Sequence, residues 1–339
     1  TEENQEQVDA DNKISLNVYQ SDLIASITDN EKYLNKDLLY SIDMLEDDDI
    51  VNVIISLKST GLVDSYNENN QGYHTLNEYA SSRYATSSVK AMNAEQQAMM
   101  NTLIDAGYIN EVKHTYTTLF NGFSATTTYG KLKKLEKAGL DINVSISEVY
   151  SEPEYNVASI SNQETSNGGT VTNFVNVYET GIFNSSGVGY DGNNTSVAIL
   201  DSGFDVHHTV FQNMPDVPML SIKDVEEVLY DTKAYGYKKD IKSQDVYLNA
   251  KIPFAYDYAD KDADVSPYDS DHGTHVAGII GGKDDVVTGV AVNTQLVLMK
   301  VFGDINNGAI QDDILAALED AILLGVDAIN LSLGTACGF

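Results

Sequence analysis

Residues 269–280 read Asp-Ser-Asp-His-Gly-Thr-His-Val-Ala-Gly-Ile-Ile. His272 and His275 enclose Gly273 and Thr274, and the small, apolar run Val276–Ile280 follows them. The pattern predicts a helix whose first turn opens onto a cleft while its body is buried. A histidine at such a helix start is held rigidly from below. Rigid placement is what a general base needs, because proton transfer depends on hydrogen-bond reach before pKa. A bare His-x-x-His would be read more simply as a buried structural pair, but here every neighbour is constrained too. His275 is expected to be buried and without a chemical role.

Upstream, Ser196–Asp205 reads Ser-Val-Ala-Ile-Leu-Asp-Ser-Gly-Phe-Asp. Val197–Leu200 is a short apolar run of the kind that forms a buried parallel strand. Asp201 stands at its carboxyl end, where open α/β sheets gather functional groups. An aspartate there can accept a hydrogen bond from an imidazole, which fixes the tautomer and stabilises the imidazolium formed in acyl transfer. A turn or capping aspartate is the simpler alternative.

Together these two stretches resemble the subtilisin-like serine proteases, peptidase family S8, whose triad follows the chain order Asp, His, Ser. Asp327-Ala-Ile-Asn-Leu-Ser-Leu-Gly334 is a third stretch similar to that family. The resemblance implies that Asp201 and His272 are catalytic. It also implies that Ser332, Leu333 and Gly334 bind substrate along a strand edge. The expected fold is α/β, a doubly wound parallel sheet present only in its N-terminal part.

Composition narrows the partners. The chain has 339 residues, enough for two domains, and 42% of them are hydrophobic, enough for a packed core. A net charge of −31 argues against nucleic acid and anionic membranes as partners. The single cysteine, Cys337, permits neither an internal disulfide nor a cysteine-rich metal site. No apolar run approaches a membrane span. The start, Thr1-Glu-Glu-Asn4, lacks both a methionine and a signal peptide and is expected to be a processed or engineered end.

Four segments are expected. Residues 1–49 form an acidic N-terminal piece with a helix near 18–45. Residues 50–150 form a small domain. Its strands are read at Ile50–Leu57, Tyr108–Tyr116, Phe120–Thr127 and Ile142–Val149, and its helices at Ser87–Ala106 and Tyr129–Ala138. A loop is read at 61–72. The β-α-β-β-α-β order is ferredoxin-like, and Phe-Asn-Gly-Phe-Ser-Ala-Thr (120–126) resembles the inhibitory propeptide of the family. Residues 151–170 are expected to be a linker holding the maturation cleavage, and residues 171–339 the N-terminal part of the catalytic domain. That part opens with a surface helix at Val171–Phe183. Its three strands are read at Val197–Leu200, Gln295–Phe302 and Ala328–Leu333, with a helix at Ile310–Leu324 whose inner face is Ile314, Leu318 and Ile322. Residues 206–268 read as a long insertion. Within it, Ala234-Tyr-Gly-Tyr and Lys251–Tyr258 are similar to the Gram-positive cell-envelope proteases of the lactocepin and C5a peptidase type.

The chain departs from the family in one respect. Ser332 is the only serine after His272, and no Gly-Thr-Ser motif is present. The resemblance therefore implies a secreted or cell-wall zymogen from a Gram-positive bacterium. Its protein or peptide substrates would meet a serine supplied by sequence beyond residue 339, on a downstream fragment, and its propeptide would stay bound to the catalytic domain. The rival readings are a catalytically inactive binding or regulatory protein and a stand-alone inhibitor module. No metal ligand set is singled out. Calcium is the one cofactor considered: Asp260–Asp271 fits the spacing of a calcium loop, but Val265 stands where that loop requires glycine. Lys283–Val286 replaces the stretch where compact family members hold a calcium ion.

Overall fold

The structure is a computed structural model that describes residues 45–69, 72–152, 190–233, 241–305 and 308–334. The helices expected near 18–45 and at 171–183, residues 153–170 of the expected linker, Ala234–Tyr237 and Cys337 lie outside the described residues.

The first half is built on Ile50–Ser56 (β1), whose β-branched run suits an inner strand of a four-stranded antiparallel sheet. Its neighbours are Gly122–Thr128 (β3) and Asn143–Ile146 (β4), with Glu111–Tyr116 (β2) outside β3. Val53 lies opposite Ala125 on one side and Ile146 on the other. Val51, Val53 and Ile55 face a core completed by Met100, Leu103, Phe123, Leu132 and Val144.

Two helices cover that face. Arg83–Asp105 (α3) starts where the Ser82 hydroxyl accepts the Ala85 N–H. Tyr129–Leu135 (α4) starts at Thr128, which caps it through the Lys131 N–H. A 3-10 turn, Glu136–Ala138, prolongs α4 until Gly139 takes a left-handed conformation at φ 66°.

Residues 61–72, expected as a loop, are mostly helix. Leu62–Asn69 (α1) and Leu76–Ala80 (α2) fold around buried Tyr79, whose ring lies 5.6 Å from Tyr66 and 5.7 Å from Tyr73. The apolar spacing was hidden because asparagines and glycine fill the positions between these side chains.

The second half holds a parallel sheet of Ser196–Asp201 (β6), Phe254–Asp257 (β7), Gln295–Lys300 (β8) and Ala328–Leu331 (β10), in the order β10-β6-β8-β7. Three of these strands match the expectation. The fourth, β7, lies inside the stretch read as an insertion, where four residues behind a proline give too short a signal. Ile222–Lys233 (α5) and Ser243–Val246 (α6) precede it.

Helices cover both faces of this sheet. His272–Gly281 (α7) packs with Ile199, Leu296 and Leu298. Gln311–Leu324 (α8) and α5 pack with Ala198, Leu200, Val297 and Met299 on the other side. No helix among the described residues is long and apolar enough to cross a membrane.

The expected face of α8 needs correction. Ile314 is buried, but Leu318 and Ile322 are only half-buried, while Asp312, Asp313, Glu319 and Asp320 are buried. The reason is that α8 is sandwiched between the two sheets and so has no solvent face. Its acidic residues meet partners instead. Glu319 accepts the backbone N–H groups of Thr117, Thr118 and Leu119 at 2.6–3.0 Å. Asp313 meets His114 Nε2 at 2.6 Å, Lys113 Nζ lies 2.9 Å from Asp312, and the Tyr258 hydroxyl donates to Asp320 at 2.6 Å. A buried charge that loses such partners costs about 3–5 kcal/mol.

These contacts predict a pH dependence. Burial pushes Glu319 up to about 7 from its ordinary 4.5, and Asp313 up to about 6 from 3.8. The folded chain therefore holds protons that the unfolded chain releases. That stabilisation is complete below the ordinary carboxyl values and is lost as pH rises through about 6 and then about 7. Denaturant unfolding should show stability falling between pH 5 and 8. Glu319→Gln, which keeps an acceptor oxygen but cannot titrate, should reduce that fall by roughly 1–3 kcal/mol. Identical slopes in the two proteins would exclude Glu319 as the source.

Candidate active site

Asp201 ends β6 and His272 begins α7, so a strand terminus and a helix terminus meet at one point. His272 Nδ1 lies 2.7 Å from Asp201 Oδ1, and both side chains are buried. The same carboxylate oxygen accepts the Ser202 N–H at 2.8 Å and the Ser202 hydroxyl at 3.2 Å. Burial pushes the Asp201 carboxyl above its ordinary range, and the hydrogen bonds from His272 and Ser202 pull against that rise. With Nδ1 committed to Asp201, proton exchange falls to Nε2.

The residues around the pair explain the motif locally. Gly203 sits at φ +140°, a conformation that suits glycine, and turns the chain after Asp201. A Cβ on Gly273 would stand 2.4 Å from the Gly203 carbonyl oxygen and 3.0 Å from Asp201 Cβ. Only glycine lets the helix start come this close. Thr274 then clamps the turn, its hydroxyl accepting the Asp205 N–H at 2.9 Å. His-Gly-Thr is thus a buried imidazole, a close approach and a tie.

His275 is exposed, with 74% of its side-chain surface accessible, and not buried as expected. The helical period explains this: His272, Gly273, Ala277 and Gly281 face inward, which leaves His275 and Ile279 on the opposite side. His275 lies 3.9 Å from Asp271.

A segment of the chain itself lies across the site. Val149–Tyr150 (β5) pairs antiparallel with Ala309–Ile310 (β9), and the Gln311 N–H donates to the Glu148 carbonyl at 2.8 Å. Ser151 then pairs with Gly334: the Ser151 N–H donates to Gly334 O at 2.8 Å, and the Gly334 N–H to Ser151 O at 3.0 Å. Gly308 leaves room, since a Cβ there would meet Val149 Cγ1 at 2.5 Å. At the end of this segment the Ser270 hydroxyl donates to Glu152 Oε2 at 2.7 Å. One oxygen each from Glu152 and Asp201 and one ring nitrogen of His272 all lie within 4.8 Å of one another.

The sequence-derived residues are therefore partly brought together. Asp201 and His272 touch. Gly334 pairs with Ser151, beside Glu152. Leu333 packs against the large core of the parallel sheet. Ser332 donates its hydroxyl to Asn330 Oδ1 at 3.0 Å. Sequence reasoning missed Ser270 and Ala309–Ile310, whose roles depend on a segment more than a hundred residues away.

In the acidic loops, one oxygen each from Asp257, Asp260 and Asp304 lie within 4.8 Å of one another. Asp262 and Asp264 spend carboxylate oxygens on the N–H groups of Asp264 and Ser266, while the Lys300 ammonium bonds to both Asp257 and Asp304. Asp284 accepts from Val286, Val287 and Thr209.

Residues 192–338 match the subtilase family, Peptidase_S8. The chain is similar to the PI-type proteinase of Lactococcus lactis subsp. cremoris, 28% identical over 252 residues that cover 71% of this chain. It is also similar to the C5a peptidase of Streptococcus pyogenes serotype M6, 32% identical over 154 residues and 43% of this chain. Each alignment spans 12% of the relative's length. Among solved structures, fervidolysin from Fervidobacterium pennivorans, a keratinolytic enzyme related to subtilisin, is similar at a TM-score of 0.40 and 15% identity, over 84% of this chain and 36% of that one.

Gly273→Ala is expected to drive α7 away from Gly203 and lengthen the Asp201–His272 contact. Unfolding should show a loss of roughly 1–3 kcal/mol, the cost of overpacking, and the downfield imidazole Nδ1–H proton signal should shift or vanish. Wild-type stability with an unshifted proton would contradict the close approach.

Proposed function

We propose that this chain, which carries a subtilase-family segment at residues 192–338, is the proenzyme portion of a secreted or cell-wall-associated serine endopeptidase from a Gram-positive bacterium. The observation that supports the reading best is the buried Asp201–His272 pair at 2.7 Å with the segment 149–152 laid beside it. In this reading Asp201 holds the imidazole in the tautomer that leaves Nε2 as base. His272 takes the proton of an attacking hydroxyl and returns it to the leaving amine. Substrate lies as an extended strand between Ala309–Ile310 and Ser332-Leu333-Gly334, held by main-chain hydrogen bonds that do not depend on side-chain identity.

The nucleophile and the oxyanion donors are assigned to sequence beyond residue 339. Ser332, the only serine after His272, is turned toward Asn330. The edge strand β10 is only partly buried, whereas β6 and β8 are buried almost throughout, which fits further strands joining there.

Residues 50–150 are read as a ferredoxin-like inhibitory propeptide domain, residues 151–170 as the linker cut on maturation, and residues 171–339 as the N-terminal part of the catalytic domain. The support is the strand order β2-β3-β1-β4, the acceptor set that α8 offers it, and the segment 148–152 that it delivers to the site. Protein or peptide chains are the proposed substrates.

A serine-directed fluorophosphonate probe tests the assignment. It should label a longer gene product and leave residues 1–339 unlabelled. His272→Ala in that product should lower turnover by several powers of ten with the fold intact. Labelling of residues 1–339 that His272→Ala abolishes would return the role to Ser332 or Cys337.

A fragment of residues 45–152 added to the mature enzyme should inhibit it. An unchanged rate at high micromolar concentration would remove the propeptide role.

A further inference from the structure

We propose that residues 62–80 form an accessory docking element, through which the first half of the chain grips the C-terminal end of α8, away from the Asp201–His272 pair. The proposal rests on the propeptide reading and extends it to a second contact that outlasts a cut near the pair. A β-α-β-β-α-β order needs one helix between its first two strands. Arg83–Asp105 supplies that helix, so α1 and α2 are additions that the sheet does not require.

These two helices build a core of their own, and it crosses between the halves. Leu62, Tyr79, Ala85, Val89 and Met92 form a buried cluster separate from the one under β1, and its sixth buried member is Leu323 of α8. Val228 of α5 packs against the same cluster. Tyr79 is fully buried, with the rings of Tyr66 and Tyr73 against it. Such a core is complete only while the halves are docked, because parting them returns apolar surface to water.

Two further contacts set the orientation. The Leu62 and Val63 N–H groups, at the start of α1, donate to the Thr117 and Thr118 carbonyls at 2.9 Å. The N–H groups of Thr117 and Thr118 in turn donate to Glu319, so one loop joins α1 to α8. Gly325 ends α8 at φ 71°, and a Cβ there would stand 2.5 Å from Asn77 Nδ2. The side chain of α2 therefore lies over the helix end. The element thus takes a leucine beside a helix terminus closed by glycine. Helix length separates this contact from the cleft: α8 has 14 residues, so its ends lie about 20 Å apart. Gln311 meets Glu148 at one end, and Leu323 enters the tyrosine cluster at the other. Nothing in the second contact depends on residues 149–152.

Two measurements test this, and they fail separately. The first needs no catalysis and uses residues 1–339. Leu323→Ala should speed amide hydrogen exchange in α1 and α2 by about tenfold and leave β1 and β3 unchanged. Tyr79→Ala should speed exchange of the Gly325 and Val326 amides, which bond to the last turn of α8. Tyr79→Phe keeps the ring and should leave both regions slow. If Leu323→Ala leaves α1 and α2 unchanged, they are held by the first half alone and the proposal is overturned.

The second uses the longer gene product, cut within residues 153–170, and follows the delay before a fluorophosphonate probe reacts. Leu323→Ala should shorten that delay about tenfold, since a lost contact acts on the rate of release, while kcat/KM of the released enzyme stays at the wild-type value. An unchanged delay, or a matching fall in kcat/KM, overturns the proposal. If exchange responds as expected but the longer product is neither cut nor labelled, the docking element stands and the protease reading is the part that fails.

Discussion

Helix α8 carries Asp312, Asp313, Glu319 and Asp320 into the interior, and burial of four carboxyl groups is possible only if each finds a partner. Three of those partners belong to the first sheet or the loop after it. Lys113 and His114 come from β2, and the N–H groups of Thr117–Leu119 come from the β2–β3 connection. The demand also runs the other way. The backbone of residues 117–119 turns inward, and without Glu319 its donors would be stranded. Each half of the chain thus satisfies a need created by the other, and these buried contacts hold the two sheets in one orientation.

That orientation determines where the chain goes next. β4 leaves the first sheet at Ile146, close to the N-terminal end of α8. The Glu148 carbonyl takes the Gln311 N–H, and residues 149–151 then continue along β9 to Gly334. Six residues after the end of β4, at Glu152, the chain has reached the Asp201–His272 pair. Delivery of Glu152 to Ser270 follows from docking: a sheet anchored on α8 leaves its last strand aimed along the edges beside the pair.

The pair itself depends on a different constraint, closeness of backbone. Gly273 removes the Cβ that would hold the start of α7 away from the Gly203 carbonyl oxygen and Asp201, and Gly203 removes one that would stand 2.7 Å from Pro267 Cα. Thr274 then fixes the remaining gap through the Asp205 N–H. Because Asp201 sits in a dry place with its charge held by His272 and Ser202, small displacements are costly, and the glycines are the reason none is forced.

Much of this was legible in residue order alone. The strands at 50–56 and 196–201 and the helix that begins at Tyr129 rest on local periodicity, which sequence carries in full, while the pairing of Asp201 with His272 was implied by a family resemblance. The misreadings share a cause. The helix at 62–69 was hidden because its apolar residues gain meaning only around Tyr79. β7 is too short to stand out, and His275 looked buried because its motif was read as a unit instead of being projected onto a helix. The four acids of α8 lay outside its expected inner face, since an acidic residue is buried only when partners exist, and the partners of three of them come from about 200 residues earlier in the chain. Sequence by itself determined most of the elements, because local propensity is written contiguously, and its motifs pointed to Asp201 and His272 only through their resemblance to a family. Tertiary structure alone decided which carboxylates are buried, which edge receives residues 149–151 and that Ser270 meets Glu152, because those contacts join distant segments whose proximity depends on docking the two sheets around α8.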